Sequence, residues 1–304
     1  MTRYIARRIL EFVPVLLAII TLTFFLVRLA PGGPFDADKR VPPQVLRQLE
    51  AHYNLDAPLW RQYTDYLGGV VRGDLGPSFR KPSRTVREWI LLRLPVSLEL
   101  GAYSLLVAVA LGLAAGLIAA LKPNSWLDHT PMALAMAGIC IPNFVLGPLL
   151  VLVFSLWLGW LPVSGWTTPA HKILPAVTLG AMYAAYVARL TRGGMLEVLA
   201  QDFIRTARAK GLREAAVVLK HGLRGGVQPV VAFLGPATAA LLTGSFAVET
   251  IFSVPGLGRE FIEAAFNRDY TMILGTVIVF ATLVLLFNLV ADVMHAWLDP
   301  RIRS

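Results

Sequence analysis

Between Leu100 and Leu121 the chain runs 22 residues without a charged side chain; comparable runs span 225–248 and 270–291, and one of 41 residues spans 130–170. A helix of about 20 residues rises roughly 30 Å, the thickness of a hydrocarbon core. A single Lys, Arg or Asp at the centre of such a helix costs about 2.5 to 3.5 kcal/mol, so uncharged runs of this length mark segments that live in lipid. Composition agrees. Of the 304 residues 56% are hydrophobic and 15% charged, and mean hydropathy is +0.62, more apolar surface than a soluble core buries. The chain reads as an all-α polytopic membrane protein.

A formal charge of +9 would suit nucleic acid in a soluble protein, but on so apolar a chain it belongs to the loops on one side of a membrane. Cys140 is the single cysteine, inside an apolar run, which leaves no internal disulfide and no cysteine-based metal cluster.

Six spans account for the pattern. The first, residues 9–30, follows Arg3, Arg7 and Arg8 and is interrupted by Glu11 and Arg28, each near enough to an end to snorkel to the headgroups. Arg28 and Pro31 occupy the place where a signal-peptide cleavage site needs small residues, so the span is read as uncleaved, running from cytoplasm to outside. Residues 31–95, punctuated by eight prolines, form a long first external loop with short helices at 43–53 and 58–68 and a surface-lying amphipathic helix at 85–94. Five more spans are placed within 96–304: at 100–121, 131–158, 173–189, 225–248 and 270–291, the third broken or kinked at Pro142-Asn143. Short-loop positive charge collects at the N-terminus, at Lys122, within 189–224, and at Arg301 and Arg303. With an even span count this puts both termini in the cytoplasm. Gly112 and Gly116 suit close helix packing or are filler in an Ala-rich helix.

The segment 196–224 is the one polar, basic island between long apolar runs. From Arg189 to Arg224 there are eight Lys and Arg against Glu197, Asp202 and Glu214. Leu196, Leu199, Ala200, Phe203 and Ala207 follow helical spacing, and Leu212, Ala215, Ala216, Leu219 and Leu223 repeat it. Gly211 stands between, where glycine adopts a left-handed backbone without steric cost. A helix-Gly-helix elbow results, with Ala-rich faces that suit docking to protein better than burial among acyl chains; membrane lipid is the competing surface.

No HExxH, GxSxG or GxxxxGK[ST] occurs, and the five histidines are scattered. Glu99, Glu249 and Asp292 lie near predicted helix ends, where capping or snorkelling accounts for them better than a proton relay does. No catalytic residue, metal site or bound cofactor is expected of this chain, so a driven pore would draw its energy from elsewhere. A membrane docking scaffold without a pore and an intramembrane transferase using isolated carboxylates are the alternatives.

The run DFIRTARAKGL (202–212), with His221 and Pro229 downstream, resembles the cytoplasmic coupling loop of permease subunits of binding-protein-dependent ABC importers, in their dipeptide, oligopeptide and nickel branch. RLAPGGPF (28–35), GDLGPSF (73–79), PVSLELG (95–101), TGSFAVETIFSVPGLG (243–258), NRDY (267–270) and DPRIR (299–303) match that branch in order. VPPQVLRQLE and GPSFRKPS in the first loop look most like oligopeptide-permease B subunits. Two departures stand out. Arg205, Thr206 and Ala207 replace the general family's Glu-Ala-Ala, and Gly225-Gly226 replace Asn-Ala, which is expected to soften the joint to the fifth span.

The resemblance implies a type I ABC-importer permease fold in the bacterial cytoplasmic (inner) membrane. It also implies a second homologous permease subunit, two ABC ATPase subunits that bind ATP and Mg, an external peptide-binding protein, and oligopeptides as substrate; dipeptides, nickel or another small solute are the variants within the branch. Coupling to the ATPase is expected at Phe203, Ile204, Arg205, Thr206, Ala207, Arg208, Lys210, Gly211 and Leu212, with Phe203, Ile204, Ala207 and Leu212 giving grip. Phe246, Glu249, Pro255 and Gly256 are expected at the outer gate, and Pro142 and Asn143 beside the translocation path.

Overall fold

The computed structural model describes residues 2–30, 32–35, 43–243 and 246–298. Pro31, residues 36–42, Gly244, Ser245 and the tail 299–304 with Arg301, Arg303 and the DPRIR match lie outside the described residues, as do the side chains of Arg3 and Arg7. Among the described residues the chain is helical, with one isolated bridge between Pro77 and Thr85.

In chain order the helices are α1 (Thr2–Leu29), α2 (Pro43–His52), α3 (Leu59–Val71), α4 (Val86–Leu121) and α5 (Trp126–Cys140). There follow α6 (Asn143–Trp157), α7 (Pro169–Leu199), α8 (Asp202–Ala209), α9 (Glu214–Gly226) and α10 (Gln228–Leu242). The last are α11 (Phe246–Ile251), α12 (Leu257–Phe266) and α13 (Tyr270–Leu298). Four of them, α1, α4, α7 and α13, are long and apolar enough to cross a membrane alone. The pairs α5–α6 and α9–α10, bent by 115° and 52°, bring the number to six if each is one span.

Two expectations change, and at Pro142-Asn143 one of the two expected outcomes is realised. The segment 85–94 does not form a separate surface helix but supplies the first turns of α4, which continues through Pro95. Val86 and Ile90, one turn apart, are buried against Leu257, Ala264 and Met272, so protein rather than lipid covers that apolar face and holds the helix on line. The third span is broken, not merely kinked. Ile141 is extended (φ −86°, ψ 116°) because the ring of Pro142 excludes the helical region for the residue before it, and Pro142 then caps α6. The fourth helix continues ten residues beyond Arg189, to Leu199.

The chain divides into two compact units, Met1–Val96 with Pro255–Leu285, and Ser97–Val254 with Leu286–Ser304. In the first, stretches far apart in sequence meet at Asp269. Its carboxylate accepts hydrogen bonds from the Ser78 hydroxyl, the Phe79, Arg80 and Met272 amides at 3.2 to 3.3 Å, and the Thr271 hydroxyl at 3.1 Å. Tyr270 donates to Gly32 O (3.0 Å), while Arg80 reaches Pro34 O (2.7 Å) and Asn267 O (2.9 Å). Phe35, Tyr53, Phe79 and Tyr270 cluster beside this network, with the tilted Tyr53 and Phe79 rings 4.7 Å apart. Close by in the sequence of α12, buried Glu260 pairs with Lys81, and Glu263 with Lys81 (3.3 Å) and Arg259 (3.0 Å).

The second unit is built on α7. Gly112 and Gly116 are packing positions: a Cβ at either would fall 2.7 Å from Ala184 O or 2.4 Å from Ala188 O, so α4 and α7 touch backbone to side chain there. Buried Asp128 takes a bidentate bond from Arg192 (2.5 and 2.7 Å) and the Asn124 amide (2.9 Å), fastening the start of α5 to α7. Glu99 accepts from Lys172 and from Trp166 Nε1 (3.0 Å). Far from a helix end, Glu99 lies inside α4.

Asp269→Ala orphans several buried donors at once, and a loss on the order of 3 kcal/mol is expected, read as a lower melting temperature in detergent. Burial alone would raise the Glu263 pKa, but the hydrogen bonds and charges of Lys81 and Arg259 outweigh it and hold the carboxyl below its ordinary value. A carboxyl so depressed contributes stability that is complete above its unfolded pKa of about 4.3 and is lost as pH falls through the lower folded value. Melting curves taken downward from about pH 5 will show a destabilisation that Glu263→Gln flattens.

Candidate functional site

The elbow lies wholly in the second unit. Its first limb is α8, eight residues from Asp202 to Ala209; Leu196 and Leu199 belong instead to the last turn of α7. Ile204 (0% exposed) and Ala207 turn inward against Val217 and Leu199. The stripe expected to grip a partner is thus divided. Ile204 and Ala207 are spent in holding α8 to its own chain, while Phe203 (47% exposed) and Leu212 (43%) face outward with Arg205, Thr206 and Lys210.

Gly211 takes φ +76°, as the sequence reading requires. The Gly211 amide bonds Arg208 O (2.9 Å) and the Leu212 amide bonds Ala207 O (3.4 Å), the pair of bonds that closes a helix with a left-handed residue after its cap. Nothing lies within 4 Å of a Cβ built on Gly211, so backbone angle and not space demands glycine. Across the turn Arg208 holds Glu214 in two hydrogen bonds, 2.7 and 3.1 Å. Arg208 is therefore a staple between the limbs rather than a free docking cation, and Glu214, whose Glu-Ala-Ala string carries no family meaning, is its anchor.

The second limb, α9, departs from regular spacing. Val217–Gly222 form a π turn, with bonds from i to i+5. Val217, Val218 and Gly222 are inside while Ala215 and Leu219 are exposed, opposite to the face that the sequence spacing marks. Between α7, α8 and α9 lies a groove of about 580 Å³, rimmed by Glu197, Gln201, Phe203, Lys220, His221 and Arg224.

Gly226 lets the joint close. A Cβ on Gly194 would sit 2.2 Å from Gly226 O, and one on Gly226 would sit 2.4 Å from Met195 Sδ. The end of α9 thus packs directly against α7 at Gly194 and Met195.

The residues expected at a gate fall in both units. In the second, Phe246 is partly exposed on α11, and Glu249 on the same helix is fully buried, accepting from the Ser97 hydroxyl at 2.8 Å. That burial replaces the expected helix-end carboxylate: the short α11 turns Glu249 inward, where Ser97 meets it. Pro142, exposed, and Asn143 open α6, which packs through Gly147 against Ile251 of α11 and the following Phe252. In the first unit, Pro255 offers its carbonyl to Arg93 (3.3 Å), and buried Gly256 caps α12. The roles of Ser97 and Asp269 emerge only from fold-level proximity, since their partners lie in distant stretches of chain, whereas Glu214 meets Arg208 across the turn of the elbow itself.

Gly226→Leu places a branched side chain where Met195 and the α7 backbone already are. A cost of about 1 to 3 kcal/mol is expected, and disulfide trapping between cysteines placed at 198 and 225 should slow markedly relative to the same pair in the Gly226 protein.

The family described as "Binding-protein-dependent transport system inner membrane component" matches residues 112–304, and its N-terminal counterpart matches residues 1–101. The oligopeptide transport system permease protein OppB of Haemophilus influenzae is 45% identical and that of Escherichia coli K12 47%, each alignment covering 100% of both chains. The dipeptide transport system permease protein DppB of Bacillus subtilis is 43% identical over 100% of this chain and 98% of its own. A crystal structure of an amino acid ABC transporter with histidines shares the fold at TM-score 0.53 and 18% identity, over 68% of this chain and 92% of that one. With matches that run from end to end and helices fit for a bilayer, the chain belongs to the inner membrane components of binding-protein-dependent ABC importers, as a permease subunit.

Proposed function

We propose that this permease carries oligopeptides inward, as half of a translocation path completed by a second permease subunit. Two ATPase subunits that bind ATP and Mg drive it from the cytoplasm, and an external binding protein delivers the peptide. End-to-end identity of 45 to 47% to oligopeptide permeases, against 43% to a dipeptide permease, carries the choice of substrate. In this reading both termini and the elbow are cytoplasmic, in keeping with the elbow's excess of Lys and Arg.

The elbow is the coupling element. Driving a two-state pore from 1:99 to 99:1 takes about 5.5 kcal/mol of differential binding, and exposed ion pairs supply only about 0 to 1 kcal/mol each. Grip therefore falls to Phe203 and Leu212, the apolar side chains that α8 and its following turn expose. Arg205, Thr206 and Lys210 set orientation. Ile204, Ala207 and the Arg208–Glu214 staple keep the limb stiff, so that a push on Phe203 reaches α7 through the Gly194–Gly226 contact instead of being absorbed. Phe246 with Glu249, Pro255 with Gly256, and Pro142 with Asn143 are assigned to the outer gate and path.

Gly211→Pro cannot take φ +76°, whereas Gly211→Asn tolerates it. In the complex reconstituted with its partner subunits, the proline variant should retain ATP hydrolysis while losing peptide uptake at least about tenfold, and the asparagine variant should keep both. Normal peptide-stimulated hydrolysis with normal uptake in the proline variant would defeat the coupling role; uptake of nickel or dipeptides in preference to longer peptides would defeat the substrate.

A further inference from the structure

Within the first unit a cavity of about 280 Å³ opens between the end of α1, helices α2 and α3, and the loop before α4. Its floor is Arg28. The sequence places this guanidinium where it could snorkel to headgroups, but it is folded back over the Phe24 ring, 3.5 Å from the centroid. Arg28 Nε donates to Gln62 Oε1 (3.1 Å), and Gln62 is itself fixed, its amide nitrogen donating to Leu55 O (3.0 Å) and Ala57 O (2.8 Å). Nη1 makes one long bond, 3.4 Å, to Phe24 O. Among the described residues no carboxylate lies within ion-pair distance of Arg28, so a half-buried cation is oriented in detail and left without a counter-charge.

A second group in the same cavity is unpartnered. The Tyr66 hydroxyl is buried and has no hydrogen-bond partner among the described residues. Burial pushes its pKa well above the ordinary tyrosine value, so it remains a proton donor. Leaving such a group unmet costs about 1 to 3 kcal/mol, and an unmet donor beside an unpaired guanidinium is the arrangement that an anionic oxygen satisfies. At the exposed rim stand Asp65 and Asp74, neither in an ion pair among the described residues; Asp74 Oδ1 accepts the Gly76 amide (2.9 Å) and leaves its other oxygen unused.

We infer that this cavity is a separate ligand site for a free amino acid or dipeptide, its α-carboxylate bound by Arg28 and Tyr66 and its ammonium by Asp65 and Asp74. Opposite charges at floor and rim select a zwitterion over a simple anion. The volume, just below the roughly 300 to 1,000 Å³ of drug-sized pockets, suits a ligand of one or two residues. A site of this kind lets short peptides or amino acids act on the permease without entering its path. It requires nothing of the coupling role of the elbow.

The test uses glycyl-leucine with the assembled membrane complex in nanodiscs, without external binding protein or nucleotide, followed by calorimetry. Saturable binding is expected, weakened at least about tenfold for glycyl-leucine amide and for N-acetyl-glycyl-leucine. Tyr66→Phe should weaken glycyl-leucine about three- to tenfold while the melting temperature without ligand stays level or rises, because an unmet hydroxyl has been removed; Arg28→Gln should abolish binding. No saturation up to roughly 10 mM, equal binding of all three compounds, or unchanged affinity in Tyr66→Phe would overturn the inference, and peptide uptake by the same complex would leave the import reading standing in each case.

Discussion

Inside a hydrocarbon layer a polar group has no water to turn to, and two apolar helices have little reason to prefer each other over lipid. What holds the second unit together follows from that constraint. Two ion pairs cross between its helices, Asp128 with Arg192 and Glu99 with Lys172, so that each pair is also a strut. Between the struts small residues bring helices close enough for dispersion to act: Gly112 and Gly116 on α4, and Gly194 facing Gly226 where α9 meets α7. Remove either device and the remaining apolar surface is as content in lipid as in protein.

In the proposed orientation the elbow lies in water and obeys different rules. There a helix of eight residues is unstable alone, and nucleation cost must be offset by tertiary contact. Ile204 and Ala207 provide that contact, which is why they are not available to a partner. A left-handed glycine, a paired set of capping bonds and the Arg208–Glu214 bridge then fix the angle between limbs. The same residues that make the segment look like a docking surface in sequence therefore split into a stiffening half and an exposed half. Stiffness is what a transmitting element needs, since a compliant handle would store a partner's work as local bending.

In the first unit the recognisable strings are halves of contacts. GDLGPSF supplies Ser78 and Phe79 to the Asp269 of NRDY, and RLAPGGPF supplies the carbonyls of Gly32 and Pro34 to Tyr270 and Arg80. In the second, PVSLELG gives Ser97 to the Glu249 of the 243–258 stretch. Buried carboxylates need several donors to be stable, and a chain satisfies that need by bringing loops from distant positions to one acid. The order of the strings along the sequence carries the family; their pairing carries the fold.

The sequence alone determined the membrane class, the helical content, the break at Pro142, the left-handed Gly211 and the family, because each rests on local chemistry: uncharged length, a ring that forbids a backbone angle, a missing Cβ, an ordered set of motifs. It could not decide which face of the elbow is buried, since that is set by the tertiary contact of Val217 with Ile204 and Ala207, and the π turn at Val217–Gly222 has no local signal. Nor could it show that 85–94 continues into α4, that Glu249 is buried, or that Arg28 turns inward to Phe24 and Gln62. Each of those depends on a partner dozens of residues away, and whether a charge snorkels or folds inward is set by what the rest of the chain places beside it.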